Sequence, residues 1–424
     1  MHNGHLITKL NQQIPVFSEL VETLRASGLT SWLVGGCVRD LLLGNECADI
    51  DIVSTEDPSD WARSWARGRG HWFWLDEQRR QSRVLMADGI SFDFAPLRAA
   101  TITDDLKARD FTINAIAIPV NKPTLLLDPL DGVADLKNRR LKMCSADSFS
   151  DDPLRILKGI RHAAVLDFTI SDQTITVMTL QSHLLKQVAA ERIREELLKI
   201  FAVRDNAYAL HILIRTALLQ VLFGKPNNNW SERDYNANHQ YLCERLDAFS
   251  DEDQLAISME LQQQRPIFHL AALLVAYSPQ PFIHIYPVLR LSRVQQRLLD
   301  ALCHELPALW LQQLSQLSSA RQYALAVEQL HPCGEERIFY HGWCREQLHD
   351  DTVIALLMAY EQQQVHGRIP DLIDGHTIIP YTGTDKKIIG ELLQQIKTLE
   401  LAGRIHSMED AQGWLRAYFG FDKN

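Results

Sequence analysis

The chain has 424 residues, of which 46% are hydrophobic and 23% charged, and its formal net charge is −10. This length exceeds what one compact core supports, so we expect two to four domains. The acidic balance argues against a general affinity for nucleic acid, although arginine and lysine cluster locally at 79–83, 137–142 and 192–194.

Two further classes are excluded by pattern. No segment has the ~18 uninterrupted apolar residues of a membrane span, and the first residues lack the basic-then-apolar layout of a signal peptide. The seven cysteines are irregularly spaced and include no Cys-x-x-Cys pair, which argues against a disulfide framework or a zinc ribbon. We therefore expect a cytoplasmic protein without a membrane partner.

Helical and strand patterns alternate over the first 135 residues. The spacing of apolar residues predicts helices at 13–28, 38–43 and 58–68. Strand-forming residues predict strands at 30–34, 49–53, 71–75, 83–87 and 90–95, with a hairpin turn at Asp88-Gly89. This alternation predicts a mixed α/β unit whose acidic residues lie near strand ends.

The strand signal fades after about residue 150. Helical patterns then follow one another at 152–166, 173–187, 190–203 and 207–222. The run Gly224-Lys225-Pro226-Asn227-Asn228-Asn229 is typical of a linker. Beyond it the chain stays helical, so we expect an α/β unit followed by all-helical segments.

A glycine turn precedes two acidic residues. Gly35 and Gly36 allow the backbone to approach a phosphate group closely, and Arg39 can add charge-assisted hydrogen bonds. Asp49 and Asp51 flank one strand residue and therefore share a face of the strand. Two carboxylates on one face can hold Mg²⁺, which prefers oxygen ligands. The alternative is a surface turn followed by unrelated acids.

A third acid lies among strand-forming residues. Asp93 occurs in Ile-Ser-Phe-Asp-Phe-Ala-Pro, and beside Asp49 and Asp51 it can complete a two-metal site and help to deprotonate a hydroxyl. The alternative is an exposed strand acid.

Two later motifs carry polar residues at helical spacing. In 104–117, Arg109 can contact phosphate, and Asp110 and Asn114 lie four residues apart, so on a helix they can hold a ribose hydroxyl together. The alternative there is a helix start capped by Asp110. In 151–161, Asp152 and Arg155 offer the donors and acceptor that read a base edge; the alternative is a solvated intrahelical ion pair.

These motifs together resemble a known family. The stretch 33–51 resembles the catalytic motif of class II tRNA nucleotidyltransferases and bacterial poly(A) polymerases, which share a polymerase-β-like head. Residues 109–115 resemble their ribose and triphosphate motif, and 151–155 resembles the protein template that selects the incoming base. Residues 128–136 and 191–197 are similar to the hinge and to the motif that supports the neck helices.

The resemblance implies an architecture. It is an α+β head with a polymerase-β-like mixed sheet at 1–135, followed by an all-α neck at 136–223, body at 224–360 and tail at 361–424. The neck would carry the nucleotide-selecting motif, and the tail would bind RNA.

The resemblance also implies roles for single residues. Asp49 and Asp51 would bind Mg²⁺ and Asp93 would be the third catalytic carboxylate. The nucleotide, CTP or ATP, would be bound by Gly35, Gly36, Arg39, Arg109, Asp110, Asn114, Asp152, Arg155, Lys158 and Arg161. The implied reaction is attack of the 3′-hydroxyl of tRNA on the α-phosphate, which releases pyrophosphate.

The product stays open at this point. Lys158 stands where the family usually has an arginine, and Asp151 where it usually has a glutamate, so the sequence does not decide between addition of CC, A, CCA or poly(A). Residues 73–84 lack the Gly-Arg-Arg/Lys-Phe signature of the poly(A) polymerases, which favours a tRNA enzyme. The sequence gives no indication of an oligomeric state.

A different class is an RNA-binding or hydrolase protein with an inactive head. Residues 239–276 faintly resemble a degenerate HD phosphohydrolase domain, but Val275 and Ala276 occupy its metal-binding positions. We therefore expect a structural body, with His239 and His269 as packing or surface residues. The segment 372–380 and the helix after it resemble the family's tail.

Overall fold

The structure is a computed structural model. It describes residues 10–14, 16–204, 206–233, 235–236, 239–240, 242–244, 261, 263–277, 285–304, 306, 308–330, 333–344, 347–366 and 370–421. The chain divides into two compact units, Met1–Gly224 and Lys225–Asn424, and each is described by itself. The predicted body at 224–360 lies partly outside the described residues.

A six-stranded mixed sheet forms the centre of the first unit. Its order is β3-β4-β5-β2-β1-β6; β2 and β5 run parallel and every other neighbouring pair runs antiparallel. The strands are β1 (Ser31–Val34), β2 (Asp49–Ser54), β3 (Gly70–Asp76), β4 (Gln81–Met86), β5 (Ser91–Pro96) and β6 (Ala117–Pro119). The predicted strands are thus present, and the mixed sheet implied by the resemblance is confirmed.

Helices cover the sheet and continue beyond it. One sheet face packs on Trp65, whose ring meets Phe92 and Phe94 at centroid distances of 5.2 and 6.3 Å. The helices of this unit are α1 (Val16–Ala26), α2 (Gly36–Leu43), α3 (Ser59–Ala66), α4 (Ile102–Lys107), α5 (Gly132–Lys137), α6 (Ser148–Asp151), α7 (Arg155–Leu166), α8 (Asp172–Gln181), α9 (Ala190–Phe201), α10 (Ala207–Arg215) and α11 (Leu218–Phe223).

Several local predictions differ from the structure. Asp110 and Asn114 do not lie on an α-helix, because the chain forms only a 3₁₀ turn at Thr112–Asn114. The helix predicted from residue 152 begins at Arg155, since Asp152 has an extended backbone and Pro153 follows it. A two-stranded parallel pair, β7 (Arg140–Leu141) and β8 (Thr169–Ile170), lies within the segment expected to be helical throughout.

The second unit is helical over its described residues. Its helices are α12 (Arg265–Tyr277), α13 (Ile285–Leu289), α14 (Arg293–Cys303), α15 (Ala308–Leu314), α16 (Ala320–Gln329), α17 (Gly334–Arg337), α18 (Asp350–His366), α19 (Gly375–Thr382), α20 (Lys386–Leu401) and α21 (Met408–Tyr418), with a π-helical turn at Ile338–Cys344. The last three helices share an apolar core that includes Ile378, Leu392 and Leu415. In the described part of the chain, no helix combines the length and the apolar character needed to cross a membrane.

Candidate active site

Strand register brings three carboxylates together on one sheet face. Asp51 lies opposite Asp93 in the parallel pair of β2 and β5, and Asp49 lies opposite Ser91. Because side chains alternate along a strand, Asp49, Asp51 and Asp93 all point away from the face that packs on α3. The structure therefore groups the three acids that the sequence analysis selected.

Burial and like charge act on the central acid. Burial raises the pKa of Asp51 to about 6, and the carboxylates of Asp93 and Asp49 raise it while Arg109 and Arg83 oppose them. Asp49 is exposed and accepts a hydrogen bond from the Ser91 hydroxyl. A cation bound at this face would favour the ionised form of these carboxylates.

Arg83 holds the third carboxylate. Its Nε lies 2.6 Å from Asp93 Oδ1 and its Nη2 lies 2.8 Å from Oδ2, which is a bidentate ion pair between neighbouring strands. Arg83 was not among the residues predicted for this site. The predicted hairpin could have identified Arg83. Arg83 and Asp93 are equally far from Asp88 in the sequence, so a hairpin with its turn there places them opposite each other.

The turn before α2 requires glycine. Gly35 has φ +76°, and a Cβ built there would lie 2.8 Å from Asp51 Oδ2 and 3.4 Å from Arg109 Nη1. A side chain at this position would be strained and would intrude between an acid and a base of the site. Gly36 begins the eight-residue helix α2 directly after this turn.

Asp105 fixes the guanidinium of Arg109. Its Oδ2 accepts hydrogen bonds from Arg109 Nε and Nη2 at 3.2 and 3.1 Å, and its Oδ1 accepts one from the Arg98 backbone N–H at 2.9 Å. Asp105 is 3% exposed, so this carboxylate is a fixed support. Asp105 was not among the predicted site residues, although it lies on α4, four residues before Arg109.

A chain of hydrogen bonds joins three other predicted residues. Arg39 pairs with Asp40 and donates from Nη1 to Asn114 Oδ1 at 2.9 Å, while Asn114 Nδ2 donates to Asp110 Oδ1 at 3.1 Å. Burial raises the pKa of Asp110, but its neighbours, including His162 and the Asn114 amide, bring the pKa below its ordinary value. Asp110 and Asn114 are therefore in contact, as predicted, but a 3₁₀ turn and not an α-helix brings them together.

The second predicted cluster lies at the start of α7. Arg155 Nη1 lies 3.2 Å from the Ser148 carbonyl oxygen, and Asp152 Oδ2 lies 3.4 Å from Arg192 Nη2 on α9. Asp152 and Arg155 thus make two separate contacts instead of the intrahelical ion pair that was the alternative prediction. Both residues line a cavity.

Two adjoining cavities link the clusters. A smaller one of about 190 Å³ is lined by Asp51, Asp93 and Arg109. A larger one of about 740 Å³ is lined by Asp152, Arg155 and other residues. Gln81 and Arg98 line both cavities, so the carboxylate face and the α7 cluster open into neighbouring spaces.

The larger cavity carries positive charge. Its lining includes Arg79, Arg98, Arg155 and Arg192, against the acids Asp151 and Asp152. Burial lowers the pKa of Arg98, and so do the neighbouring guanidinium groups, although an arginine still keeps its proton at neutral pH. Arg98, Arg79 and Arg192 were not selected as site residues from the sequence.

Two predicted residues have their contacts mainly within the protein. Arg161 donates from Nε to Glu196 Oε2 at 2.8 Å, and Glu196 is 5% exposed, so this pair joins α7 to α9. Lys158, half-buried on the same helix, acts with its charge on Asp110.

Comparisons with known proteins cover the same regions. The family model described as the poly A polymerase head domain matches residues 31–142, and the model described as the probable RNA and SrmB-binding site of polymerase A matches 167–228. The CC-adding tRNA nucleotidyltransferase of Geobacter sulfurreducens is 33% identical over 417 residues, which are 95% of each chain. The enzyme of the same name from Synechocystis is 39% identical over 193 residues, 45% of this chain and 44% of its own.

The fold has a solved relative over nearly its whole length. The structure of the Thermotoga maritima CCA-adding enzyme complexed with tRNA superposes with a TM-score of 0.69 at 25% identity, covering 95% of each chain.

Proposed function

The chain belongs to the tRNA nucleotidyltransferase family, and on that premise we propose that it adds two cytidylate residues from CTP to the 3′ end of tRNA. The observation that carries the proposal is the grouping of Asp49, Asp51 and Asp93 on one sheet face, beside a glycine turn and an arginine-lined cavity. The CC product is chosen because the Geobacter relative, which aligns over 95% of both chains, is named a CC-adding enzyme.

Addition of the complete CCA end is the second candidate. It is favoured by the likeness to the Thermotoga CCA-adding enzyme over 95% of each chain. Poly(A) synthesis, the other alternative, is not proposed: both matched models are named after polymerase A, but the relative that aligns over 95% of both chains acts on tRNA by name.

The carboxylate face suits a divalent metal ion. Its donors are oxygens, which Mg²⁺ prefers. The raised pKa of Asp51 reflects its burial first and then repulsion by Asp93 and Asp49, and a bound cation would offset both. In our proposal Asp49 and Asp51 hold Mg²⁺. When bound, the ion would polarise the α-phosphate and lower the pKa of the attacking hydroxyl.

The chain's own residues supply the rest of the chemistry. The 3′-oxygen of tRNA forms a bond to the α-phosphorus of CTP, the bond to the β-phosphate oxygen breaks, and pyrophosphate leaves. Asp93 lies beside Asp51 and can accept the proton of the attacking hydroxyl. Arg83 keeps Asp93 oriented through its bidentate pair.

The triphosphate would lie between the two cavities. Gly35 and Gly36 leave room for it, and Arg109 offers charge from a position fixed by Asp105. Arg98 lines both spaces and is our addition to the phosphate-binding set.

Ribose and base would be held by separate groups. Arg39, Asp110 and Asn114 form the hydrogen-bonded chain that we assign to the ribose. Asp152 and Arg155 are assigned to the Watson–Crick edge of cytosine, whose N4 amino group donates and whose O2 and N3 accept. Lys158 supports this set, and Arg161 braces α7 through Glu196 rather than binding a phosphate directly.

The domain roles remain proposals as well. We assign catalysis to 1–135, nucleotide selection to 136–223, and tRNA binding to the helical body and tail at 224–360 and 361–424. We propose the cytoplasm as the compartment, because the described cysteines are free thiols.

The function is tested with three tRNA transcripts that end before CCA, after CC and after CCA. Each is incubated with the protein, Mg²⁺, and CTP, ATP or both. Two cytidylates on the first transcript, with no adenylate on the second, are the expected result. Adenylate on the second transcript would establish the full CCA candidate instead.

Two variants control the assay. Asp49→Ala should abolish incorporation while the circular dichroism spectrum stays that of the native protein. Asp60→Ala removes an exposed carboxylate from α3, the helix on the opposite sheet face, and should leave activity unchanged. No incorporation by the native protein, or full activity of Asp49→Ala, would overturn the proposal.

A further inference from the structure

The second unit contains a cluster of metal-ligand side chains that the function above does not use. The ligand atoms of His239, Cys243 and His269 all lie within 4.8 Å of one another. Cys243 Sγ is 3.9 Å from the His239 ring nitrogens and 4.0 Å from His269 Nε2, and the two imidazole centroids are 4.7 Å apart.

Two segments of the chain supply the three groups. His239 and Cys243 are four residues apart in a helical segment, so their side chains share one face. His269 comes from the first turns of α12. A helix that contributes two ligands at this spacing and a second helix that adds a third is an arrangement common in zinc sites.

The distances fit a small contraction around a metal ion. With Zn–S near 2.3 Å and Zn–N near 2.05 Å, a tetrahedral site separates sulfur from nitrogen by about 3.6 Å. The observed sulfur–nitrogen distances of 3.9–4.0 Å are a few tenths of an ångström longer. Metal binding would therefore draw the sulfur and the nitrogens a few tenths of an ångström closer together.

Both imidazoles of the cluster lie in the interior of the second unit. His239 is 2% exposed and His269 is fully buried. Arg265 is an unfavourable neighbour for a cation, and the thiolate form of Cys243 would offset its charge.

His269 also has an unused polar atom. Its Nδ1 is buried and has no hydrogen-bond partner within the described part of the chain. The nitrogen of this ring that lies near Cys243 is Nε2, and ligation through Nε2 would place the ring proton on Nδ1 and so fix the tautomer.

We propose that His239, Cys243 and His269 form a structural binding site for a divalent transition-metal ion of the zinc type. Nitrogen and sulfur donors select such an ion over Mg²⁺. The set differs from the HD pattern, in which the residues at 275 and 276 would be ligands, and it replaces the expectation that the two histidines serve only in packing. The ion would join the helical residues 239–240 and 242–244 to α12.

The test uses the untagged full-length chain, freed of metal with a chelator and then loaded with Zn²⁺ or Co²⁺. We expect one equivalent of Zn²⁺ by mass spectrometry, and with Co²⁺ a sulfur-to-metal charge-transfer band. That band requires a thiolate ligand, so any ion at the all-oxygen carboxylate face does not contribute to it. Zn²⁺ should also raise the melting temperature of the metal-free protein.

Three variants separate this site from incidental binding. Cys243→Ser and His269→Asn should each lower the zinc affinity at least tenfold, and Cys243→Ser should remove the charge-transfer band. Cys333→Ser, which changes a half-buried thiol of the same unit outside the cluster, should keep both. The metal-free variants are first shown to have the native circular dichroism spectrum. A native chain that binds no Zn²⁺, or a Cys243→Ser chain that keeps the cobalt band, would overturn the proposal.

Discussion

Asp51 carries an electrostatic cost in the metal-free protein, and that cost can be measured. Its pKa rises from 3.8 to about 6 on folding. One pKa unit corresponds to about 1.4 kcal/mol, so the ionised carboxylate lowers the free energy of unfolding by up to about 3 kcal/mol. Replacing Asp51 with asparagine removes the charge and keeps the shape, so Asp51→Asn should be more stable than the native protein in a chelator.

The sign of the pH dependence follows from the direction of the pKa shift. The folded-state pKa is raised, so the cost is absent below about pH 4, where the carboxyl is protonated in both states. It grows as the pH rises and is complete above about pH 6. The stability difference between Asp51→Asn and the native protein should therefore grow from near zero to its full size across this window.

Thermal melts in a chelator at a series of pH values provide the assay. For a unit of this size, about 3 kcal/mol corresponds to a rise of roughly 6–12 °C in melting temperature. Asp167→Asn is the matched control, because Asp167 is exposed and its left-handed backbone tolerates asparagine. A gap of the same size at every pH, or no gap at all, would refute the electrostatic reasoning.

Three further variants test other parts of the site. Gly35→Ala should destabilise the fold by about 1–3 kcal/mol from backbone strain and lose most activity. Gly89→Ala has the same kind of strain but nothing within 4 Å of its Cβ, so it should be active, and equal activity of the two would contradict the steric argument. Arg83→Gln removes a positive charge that favours ionised carboxylates, so the acidic limb of the pH–rate profile should move to higher pH; an unmoved limb would show that the pair with Asp93 does not tune the site. Arg155→Lys should lower kcat/KM for CTP roughly 5–150-fold, a loss of about 1–3 kcal/mol of transition-state stabilisation, because lysine lacks the planar fork. Unchanged selection of CTP over UTP would show that Arg155 does not recognise the base.

Short-range patterns predicted the sheet and two of its acids well. The Asp49-Ile50-Asp51 alternation places both carboxylates on one face by strand geometry alone. The hairpin at Asp88-Gly89 likewise predicts β4 and β5. These features depend on neighbouring residues in sequence, which is why the sequence displayed them.

The missed residues depend on contacts between segments. Arg98 lines two cavities whose walls come from β5 and from the segment before α7, and these segments are far apart in the sequence. Asp152 pairs with Arg192, forty residues away, instead of with Arg155 in its own turn. Such pairings follow from how helices pack, and no local spacing encodes them.

β2 lies between β5 and β1, and its two faces have different roles. Asp49 and Asp51 present their carboxylates on one side, while Ile50 and Ile52, each 1% exposed, are sealed in the apolar interior on the other. The acids owe their positions to backbone ladders on both flanks of the strand rather than to the side chains behind them. Apolar substitutions at Ile50 or Ile52 could therefore change the stability of the protein while the spacing of the carboxylates on the other side of β2 stays the same.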